Sequence, residues 1–313
     1  MGVTSNDLFG TTPAAQPAHA QSYGLAPSGF RLPDATRLGA VRLQVSDLDR
    51  SLAFYTSVLG LRLTERAGAA ASLAAHGDER VLVELTARAG ARPAGRRGML
   101  GIYHFAILLP DRAALGRFVR HVAESRVPVG AGDHLVSEAF YLSDPDGIGI
   151  EVYADRPRDT WRRNGRELMM ATDPVDVEGL LRAAGDAAWT GMPAGTVIGH
   201  LHLHVGDLET GRAFYSEALG FDRMAWSYPG ALFLGAGGYH HHLGTNTWAG
   251  AGARPPAEDD AKLVHWTIEL PTASDVEAAR ASLVRAGFVA EDVAPGVVQT
   301  RDPWGTTLLV RVA

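Results

Sequence analysis

Two similar stretches decide the fold of this chain: VRLQVSDLDRSLAFYTSVLG at residues 41–60 and LHLHVGDLETGRAFYSEALG at residues 201–220. Nine of the twenty positions are identical, including Asp47 and Asp207. Each copy begins with alternating apolar and polar residues, continues with an aspartate suited to cap a helix, and ends at a glycine. The pattern predicts a short strand followed by an amphipathic helix, and its recurrence predicts a repeated module.

A second pair of stretches follows the first: YHFAILLPDRAALGRFVRHVAESRV at residues 103–127 and VHWTIELPTASDVEAARASLVRAGF at residues 264–288. Both again predict a strand, a turn and a helix, with His104 and His265 at equivalent places. Further along, each copy has a tight-turn sequence, Asp-Pro-Asp-Gly or Asp-Pro-Trp-Gly, before a closing strand. The chain therefore consists of four units of roughly one strand, one helix and three strands.

The repeats divide the chain into four segments. Residues 1–36 are rich in Ala, Pro, Gly and Ser and predict a disordered or loosely packed arm. Residues 37–157 form a first domain of two modules, and residues 196–313 form a second domain of two modules. Residues 158–195 form a polar connector, with one short helix predicted around residues 175–184. The fold class is α+β, with four tandem βαβββ modules.

Composition excludes several kinds of site. The chain has no cysteine, so it has neither disulfides nor thiolate ligands, and a transition-metal site must use histidine or oxygen donors. A net charge of −6 without a long basic run argues against a nucleic-acid partner. No apolar run is long enough to span a bilayer, and the N-terminus lacks the pattern of a signal peptide. We expect a cytoplasmic protein with no membrane partner.

Several strings resemble the vicinal oxygen chelate superfamily, which contains glyoxalases and extradiol dioxygenases. The strings are SDLDRSLAFYTSVLGLRL and DPDGIGIEVY, and the longer GDHLVSEAFYLSDPDGIGIEVYADRPRDTW and GGYHHHLGTNTWAG resemble its bacillus-type catechol 2,3-dioxygenase group. The resemblance implies two cupped, barrel-like sheets built from pairs of modules. It also implies metal ligands on the first and last strands of the modules, at the bottom of a cup.

Module pairing decides which ligands meet. If consecutive modules pair, one cup holds Glu84, His104 and Glu151, and neither cup has the two-histidine, one-carboxylate set of extradiol enzymes. If the middle modules pair, a single cup collects His104, Glu151 and His200, with His242 as a further donor. We favour the middle pairing, which leaves Ala40, Glu84, His265 and Leu309 in a cup poorly suited to a metal. A slip of two residues would put His202 in the place of His200.

The resemblance implies a metal site formed by His104, His200 and Glu151. Fe(II) is the expected ion and O2 the co-substrate, although Mn(II) and Zn(II) accept the same donors. Tyr141 matches a tyrosine that hydrogen-bonds the catecholate, and His134 lies near the place of a histidine that contacts substrate.

Three adjacent histidines, His240, His241 and His242, occupy the position where the resemblance implies an acid–base histidine. On a strand, His240 and His242 would share one face and His241 the other. We predict His242 as the acid–base residue, with His240 as the alternative. A loop without catalytic importance also explains the run.

The expected activity is extradiol cleavage of catechol or a substituted catechol, a small aromatic diol. A redox-neutral, glyoxalase-like isomerase or transferase is the alternative, favoured if four protein ligands bind the metal. A non-catalytic binding protein of the same fold is a third possibility. The resemblance also implies a possible homodimer.

Overall fold

The computed structural model describes residues 2–10, 15–19, 22–95 and 97–313. The described part of the N-terminal arm is more ordered than its composition predicts. It contains helix α1 (Ser5–Phe9) and strand β1 (Gln16–Pro17). Tyr23 and Leu32 are buried, and the Tyr23 hydroxyl donates a hydrogen bond to the carbonyl of Gly238 at 2.7 Å. A few apolar anchors thus tie this polar segment to the rest of the protein.

The predicted four βαβββ modules are confirmed. The first module contains β2 (Arg37–Val45), α2 (Leu48–Ser57), β3 (Arg62–Ala67), β4 (Ala70–Ala74) and β5 (Val81–Ala87). The second contains β6 (Gly101–Leu108), α3 (Arg112–Glu124), β7 (Gly130–Asp133), β8 (Ser137–Ser143) and β9 (Gly149–Asp155). The connector contains a 3-10 turn, β10 (Arg162–Asn164), β11 (Glu167–Leu168) and α4 (Val177–Ala184).

The second half repeats the same order. The third module contains β12 (Val197–His204), α5 (Leu208–Arg212) continued by a π-helical turn (Ala213–Ala218), β13 (Asp222–Ala225), β14 (Ala231–Gly235) and β15 (Leu243–Asn246). The fourth contains β16 (Lys262–Leu270), α6 (Ala273–Arg285), β17 (Ala290–Ala294), β18 (Val297–Arg301) and β19 (Thr307–Val312). The predicted caps are present: the carboxylates of Asp47 and Asp207 accept hydrogen bonds from the amides of Arg50 and Thr210.

The strands form two curved eight-stranded sheets. The order in one sheet is β13-β14-β15-β12-β6-β9-β8-β7, and in the other it is β17-β18-β19-β16-β2-β5-β4-β3. The middle modules therefore share one sheet, which we call the inner sheet, and the first and fourth modules share the other, the outer sheet. Each sheet joins one module from residues 37–157 with one from residues 196–313. The boundary near residue 157 thus separates modules along the chain rather than sheets in space.

One face of each sheet is buried against the helices in a single continuous core. Tyr55 of α2 stacks on Phe105 of the inner sheet, with ring centroids 6.5 Å apart, and Tyr215 lies 6.4 Å from Trp266 of the outer sheet. The Tyr215 hydroxyl donates to Asp302, which begins the Asp-Pro-Trp-Gly turn, at 2.8 Å. Repeated tyrosines and turns thus hold the two halves together, and the concave faces of the sheets remain available for sites.

The arm and the connector cover part of the inner sheet. Strands β1, β10 and β11 form a small third sheet. Trp161 and Leu168 of the connector are buried in a cluster with Tyr23 of the arm and Phe233 and Tyr239 of the third module. The inner concave face is therefore enclosed by segments that lie outside the four modules.

Candidate metal centre

The proposed ligands lie on three neighbouring strands of the inner sheet. Strand pairing places His200 of β12 opposite Ala106 of β6, and Ala106 opposite Glu151 of β9. His104 precedes Ala106 by two residues and so shares its face. The methyl group of Ala106 is the smallest side chain that a strand can present short of glycine. It leaves space between the histidine and the carboxylate on either side.

The structure brings His104, Glu151 and His200 together. One carboxylate oxygen of Glu151 lies 3.0 Å from Nε2 of His104 and 3.1 Å from Nε2 of His200. The three donor atoms all lie within 4.8 Å of one another, and all three residues are buried. The contact with His104 lacks hydrogen-bond geometry, so its Nε2 is a buried polar atom that has no hydrogen-bond partner among the described residues. Two imidazoles and a carboxylate converging in this way fit a divalent transition-metal ion.

Burial also sets the protonation states that a metal requires. It lowers the pKa of His104 and of His200, so both imidazoles are neutral near pH 7 and each has a lone pair to offer. Burial alone would raise the pKa of Glu151, but the two histidines hold it well below its usual range. Neutral imidazoles and an ionised carboxylate are the forms that bind metals.

Tyr141 continues the same row across the sheet. It pairs with Glu151 in the β8–β9 ladder, and its ring centroid lies 5.6 Å from that of His104. The Tyr141 hydroxyl lies 2.5 Å from Nε2 of His134, and Nδ1 of His134 lies 2.7 Å from the carbonyl of Ala171. That carbonyl accepts the Nδ1 proton, which leaves Nε2 to accept from the tyrosine. The connector therefore orients His134, and His134 orients Tyr141.

The histidine triplet lies before strand β15 and not on it, so strict alternation does not apply. A turn at Gly237 and Gly238, both with positive φ, precedes the triplet. The three rings therefore do not alternate between two faces as they would on a strand. The ring of His241 lies 4.1 Å from that of His200. His240 and His241 approach each other through their Nδ1 atoms at 2.7 Å.

His242 makes a separate set of contacts. Its Nδ1 accepts a hydrogen bond from the amide of Ala236 at 3.2 Å, and its ring packs on Phe221 and Tyr239. Burial lowers the pKa of His242 to about 3. The structure therefore does not bring His242 to the group formed by His104, Glu151 and His200. Sequence reasoning weighed His240 and His242 for this position but not His241, because it assumed a regular strand.

Two further residues complete the surroundings of the site. Asp155 accepts a hydrogen bond from Nε2 of His240 at 2.8 Å, which links the triplet to the end of β9. His202 is buried, its ring centroid lies 5.1 Å from that of His104, and its Nε2 has no hydrogen-bond partner among the described residues. His202 lies two residues after His200 on β12, and this spacing in the sequence predicts that both side chains point to the same face. A small cavity of about 60 Å³ lies beside His104 and Tyr141.

The chain is similar in sequence to proteins of a known superfamily. The sequence profile of the Glyoxalase/Bleomycin resistance protein/Dioxygenase superfamily matches residues 37–152 and 197–309. The chain belongs to this superfamily. It is 45% identical, over 260 residues, to the catechol-2,3-dioxygenase of Bacillus subtilis (strain 168), covering 82% of this chain and 90% of that protein. The predicted resemblance to that group is confirmed.

Other relatives are more distant. The lactoylglutathione lyase of Salmonella typhimurium (strain LT2) is 32% identical over 127 residues, which cover 37% of this chain and 90% of that enzyme. A solved Bacillus subtilis structure with a provisional dioxygenase assignment has a TM-score of 0.62 at 13% identity, covering 91% of this chain and 86% of that one. Glyoxalase I from Zea mays has a TM-score of 0.53 at 20% identity, covering 89% of this chain and 92% of that one. The structural matches establish the shared fold. None of the described helices is both long and apolar enough to cross a bilayer.

Proposed function

We propose that the protein is an extradiol dioxygenase that cleaves the ring of catechol or a substituted catechol. The observation that carries the proposal is the buried group of His104, Glu151 and His200, in a chain 45% identical to a catechol-2,3-dioxygenase. Fe(II) bound by two histidines and one carboxylate would leave adjacent positions for both catechol oxygens and O2, and would supply the redox chemistry. Mn(II) and Zn(II) are the alternative ions for the same donors.

The chain's own residues would orient the diol and manage its protons. The Tyr141 hydroxyl, held by its short hydrogen bond to His134, would lie beside a catechol oxygen bound next to Glu151. Burial and the nearby Glu151 carboxylate raise the pKa of Tyr141 well above its usual value, so the phenol keeps its proton, donates it to His134 and can accept a hydrogen bond from a catechol hydroxyl. The connector also helps to orient Tyr141, because the Ala171 carbonyl holds His134 in the tautomer whose proton is on Nδ1.

A proton-accepting histidine must lie beside the substrate. We assign this role to His241 in place of His242, because the His241 ring faces His200 while the His242 ring packs on Phe221 and Tyr239. His240 and Asp155 extend from His241 towards the surface as a hydrogen-bonded series that can carry the proton away. General acid–base groups of this kind contribute about 10²–10⁴-fold to rate.

Separation of His242 from the metal ligands favours the dioxygenase over a redox-neutral isomerase. A fourth protein ligand would occupy a position that O2 needs. The described donors instead form a group of three.

The test is anaerobic reconstitution with Fe(II), followed by catechol and air. Ring fission yields a yellow hydroxymuconic semialdehyde and consumes one O2 per catechol. We expect Glu151→Gln to lower turnover and bound iron by at least about a hundredfold. Glu84→Gln is the matched control, because Glu84 lies in the outer sheet, and it should keep both.

A second comparison separates the histidines of the triplet. His241→Gln should lower kcat at least about a hundredfold with iron still bound, whereas His242→Gln should retain most of the activity. Tight metal binding without cleavage of catechol or methylcatechols would overturn the dioxygenase proposal. It would favour a redox-neutral enzyme instead.

A further inference from the structure

A second and larger cavity lies at the outer sheet, and none of the three proposed metal ligands lines it. Its volume is about 380 Å³, and it opens where β16 and β19 begin and β18 ends. Apolar side chains form much of its wall, among them Met99, Ile102, Pro256 and Trp304. The size and the mixed lining are those of a site for a small organic molecule.

Strand register shows that this cavity is the outer counterpart of the inner one. In the inner sheet His104 pairs with Gly149, and Gly149 pairs with Ser143. In the outer sheet Thr307 pairs with Arg301. Since Trp266 pairs with Leu308, the parallel ladder brings Thr307 beside His265. His265 thus has the position of His104, and Arg301 has the position of Ser143.

The same register shows which metal-site residues are replaced on the concave face of the outer sheet, which we call the outer cup. Thr267 pairs with Leu309, as Ala106 pairs with Glu151. Gln299 pairs with Leu309, as Tyr141 pairs with Glu151. A leucine therefore replaces the carboxylate ligand and an amide replaces the phenol, so the outer cavity is not a metal site.

The charge of the outer cavity is positive, although the whole chain has a net charge of −6. Lys262 and Arg301 line it, and no Asp or Glu is among its lining residues in the described part of the chain. The Lys262 ammonium donates to the carbonyl of Ala257 at 2.8 Å. The guanidinium of Arg301 and the amide of Gln299 form no hydrogen bond or ion pair with the described residues, and Arg301 is exposed. These donors are available to a ligand.

We propose that the outer cavity binds a small carboxylate with a flat apolar body. The Arg301 guanidinium has the fork geometry that binds a carboxylate through two parallel hydrogen bonds, and Gln299 adds an amide donor. The apolar wall, with Trp304, receives the body of the ligand. His265 lines the same cavity as a neutral or charged donor.

The position of the cavity suggests two sources for such a ligand. Ala94, Gly95 and Ile102 line both the outer cavity and the small cavity beside His104, so one wall separates them. If the proposed function holds, the ring-fission product, which carries a carboxylate, forms on the other side of that wall. An unrelated carboxylate reaching the outer cavity from solvent is the second source.

The experiment uses the full-length, metal-free protein labelled with 5-fluorotryptophan and followed by fluorine NMR. The Trp304 resonance is assigned with Trp304→Phe, and benzoate is the probe, with benzyl alcohol as the uncharged control. We expect benzoate, and not benzyl alcohol, to shift the Trp304 resonance saturably. Arg301→Gln should weaken binding at least tenfold, while Arg285→Gln, the same charge change on an exposed residue of α6, should leave it unchanged.

A second titration uses the ring-fission product of catechol, prepared with a separate extradiol enzyme. Tighter binding than benzoate supports the proposal with the product as the source, and binding no tighter than benzoate supports it with an independent carboxylate. No saturable shift with either anion, or an unchanged affinity in Arg301→Gln, overturns it. Because no turnover is needed, failure here is distinct from failure of the dioxygenase assignment.

Discussion

The inner and outer sheets have matching strand orders, and their central strand pairs have matching irregularities. A bulge lies between Ile198 and His200 in the inner sheet, and another lies between Trp266 and Ile268 in the outer sheet, opposite Gly39. Their concave faces nevertheless differ in chemistry. The inner cup has a buried His/His/Glu group under the arm and connector, whereas the outer cup has a partly exposed, basic cavity. One backbone thus supports two kinds of site, and a few side chains in one row distinguish them.

The largest expected effect is the creation of a metal site in the outer cup. Ala40 stands where the inner sheet has His200, Leu309 stands where it has Glu151, and His265 already stands where it has His104. We expect Ala40→His combined with Leu309→Glu to bind about one Zn(II) or Co(II) ion in a Glu151→Gln background, in which the inner site is disabled. Metal content after gel filtration measures the gain.

The single substitution Ala40→His in the same background is the control, since it supplies only two donors. If the double variant retains no more metal than this control, the two rows are not equivalent. In that case the outer cavity would not be the structural counterpart of the inner one.

The next effect concerns the glycines at the two bulges. A Cβ at Gly199 would overlap the hydroxyl of Tyr153, which hydrogen-bonds Tyr239 at 2.6 Å and whose ring lies 4.9 Å from that of His200. A Cβ at Gly39 would lie 3.0 Å from a Glu269 oxygen and 3.1 Å from Thr267. We expect Gly199→Ala to cost about 1–3 kcal/mol in the free energy of unfolding, and Gly39→Ala clearly less.

Urea denaturation of both variants measures the difference, and iron retention tests whether Gly199→Ala also displaces His200. If the two substitutions destabilise the protein equally, the contacts on the concave faces do not decide how well a Cβ is accommodated at these glycines. Packing in the core beneath the sheets would then decide it.

The smallest effect, for each pH unit, is the dependence of stability on pH. Burial holds the pKa of His242 at about 3, while an unfolded chain has a histidine pKa of about 6.5. Between these values the unfolded state binds a proton that the folded state does not. His242 therefore makes the free energy of unfolding fall as the pH decreases, by at most about 1.4 kcal/mol per pH unit. His242→Gln, which keeps an acceptor for the Ala236 amide, should flatten this slope.

His265→Gln in the outer sheet is the matched control. His265 is only partly buried, and the nearby Glu84 opposes the lowering of its pKa, so its removal should change the slope much less. Unfolding by urea at a series of pH values between 4 and 7 distinguishes the two. If His242→Gln leaves the pH dependence of the free energy of unfolding unchanged, burial of His242 is not the cause of that dependence.

Much of this architecture is readable from the sequence because its determinants are local or repeated. Asp47 and Asp207 mark helix starts, and the requirement that His104, Glu151 and His200 meet predicts the pairing of the middle modules. The residues that sequence reasoning missed depend on non-local geometry. The orientation of His241 depends on the turn at Gly237 and Gly238, and His134 is aligned by a carbonyl of the connector.

The outer cavity, too, cannot be predicted from the sequence pattern. Ala40 and Leu309 predict from the sequence that the outer cup is a poor metal site. Its basic character depends on Arg301, whose place opposite Thr307 is defined only by the strand register. A bulge shifts the register by one residue without leaving a clear mark in the alternation of apolar residues.

The interlaced order of the modules also has a consequence for how the chain folds. In the inner sheet Phe105 pairs with Leu201, whereas in the outer sheet Val41 pairs with Trp266. During synthesis from the N-terminus, every ligand of the metal group has been made once His200 is added, while β2 has β5 beside it but still lacks its other neighbour, β16. The first module must then persist with an unpaired strand edge until the fourth emerges, and long-range pairing of this kind is slow and prone to aggregation. The outer sheet is therefore the part of the molecule where nascent chains are most exposed to misassembly.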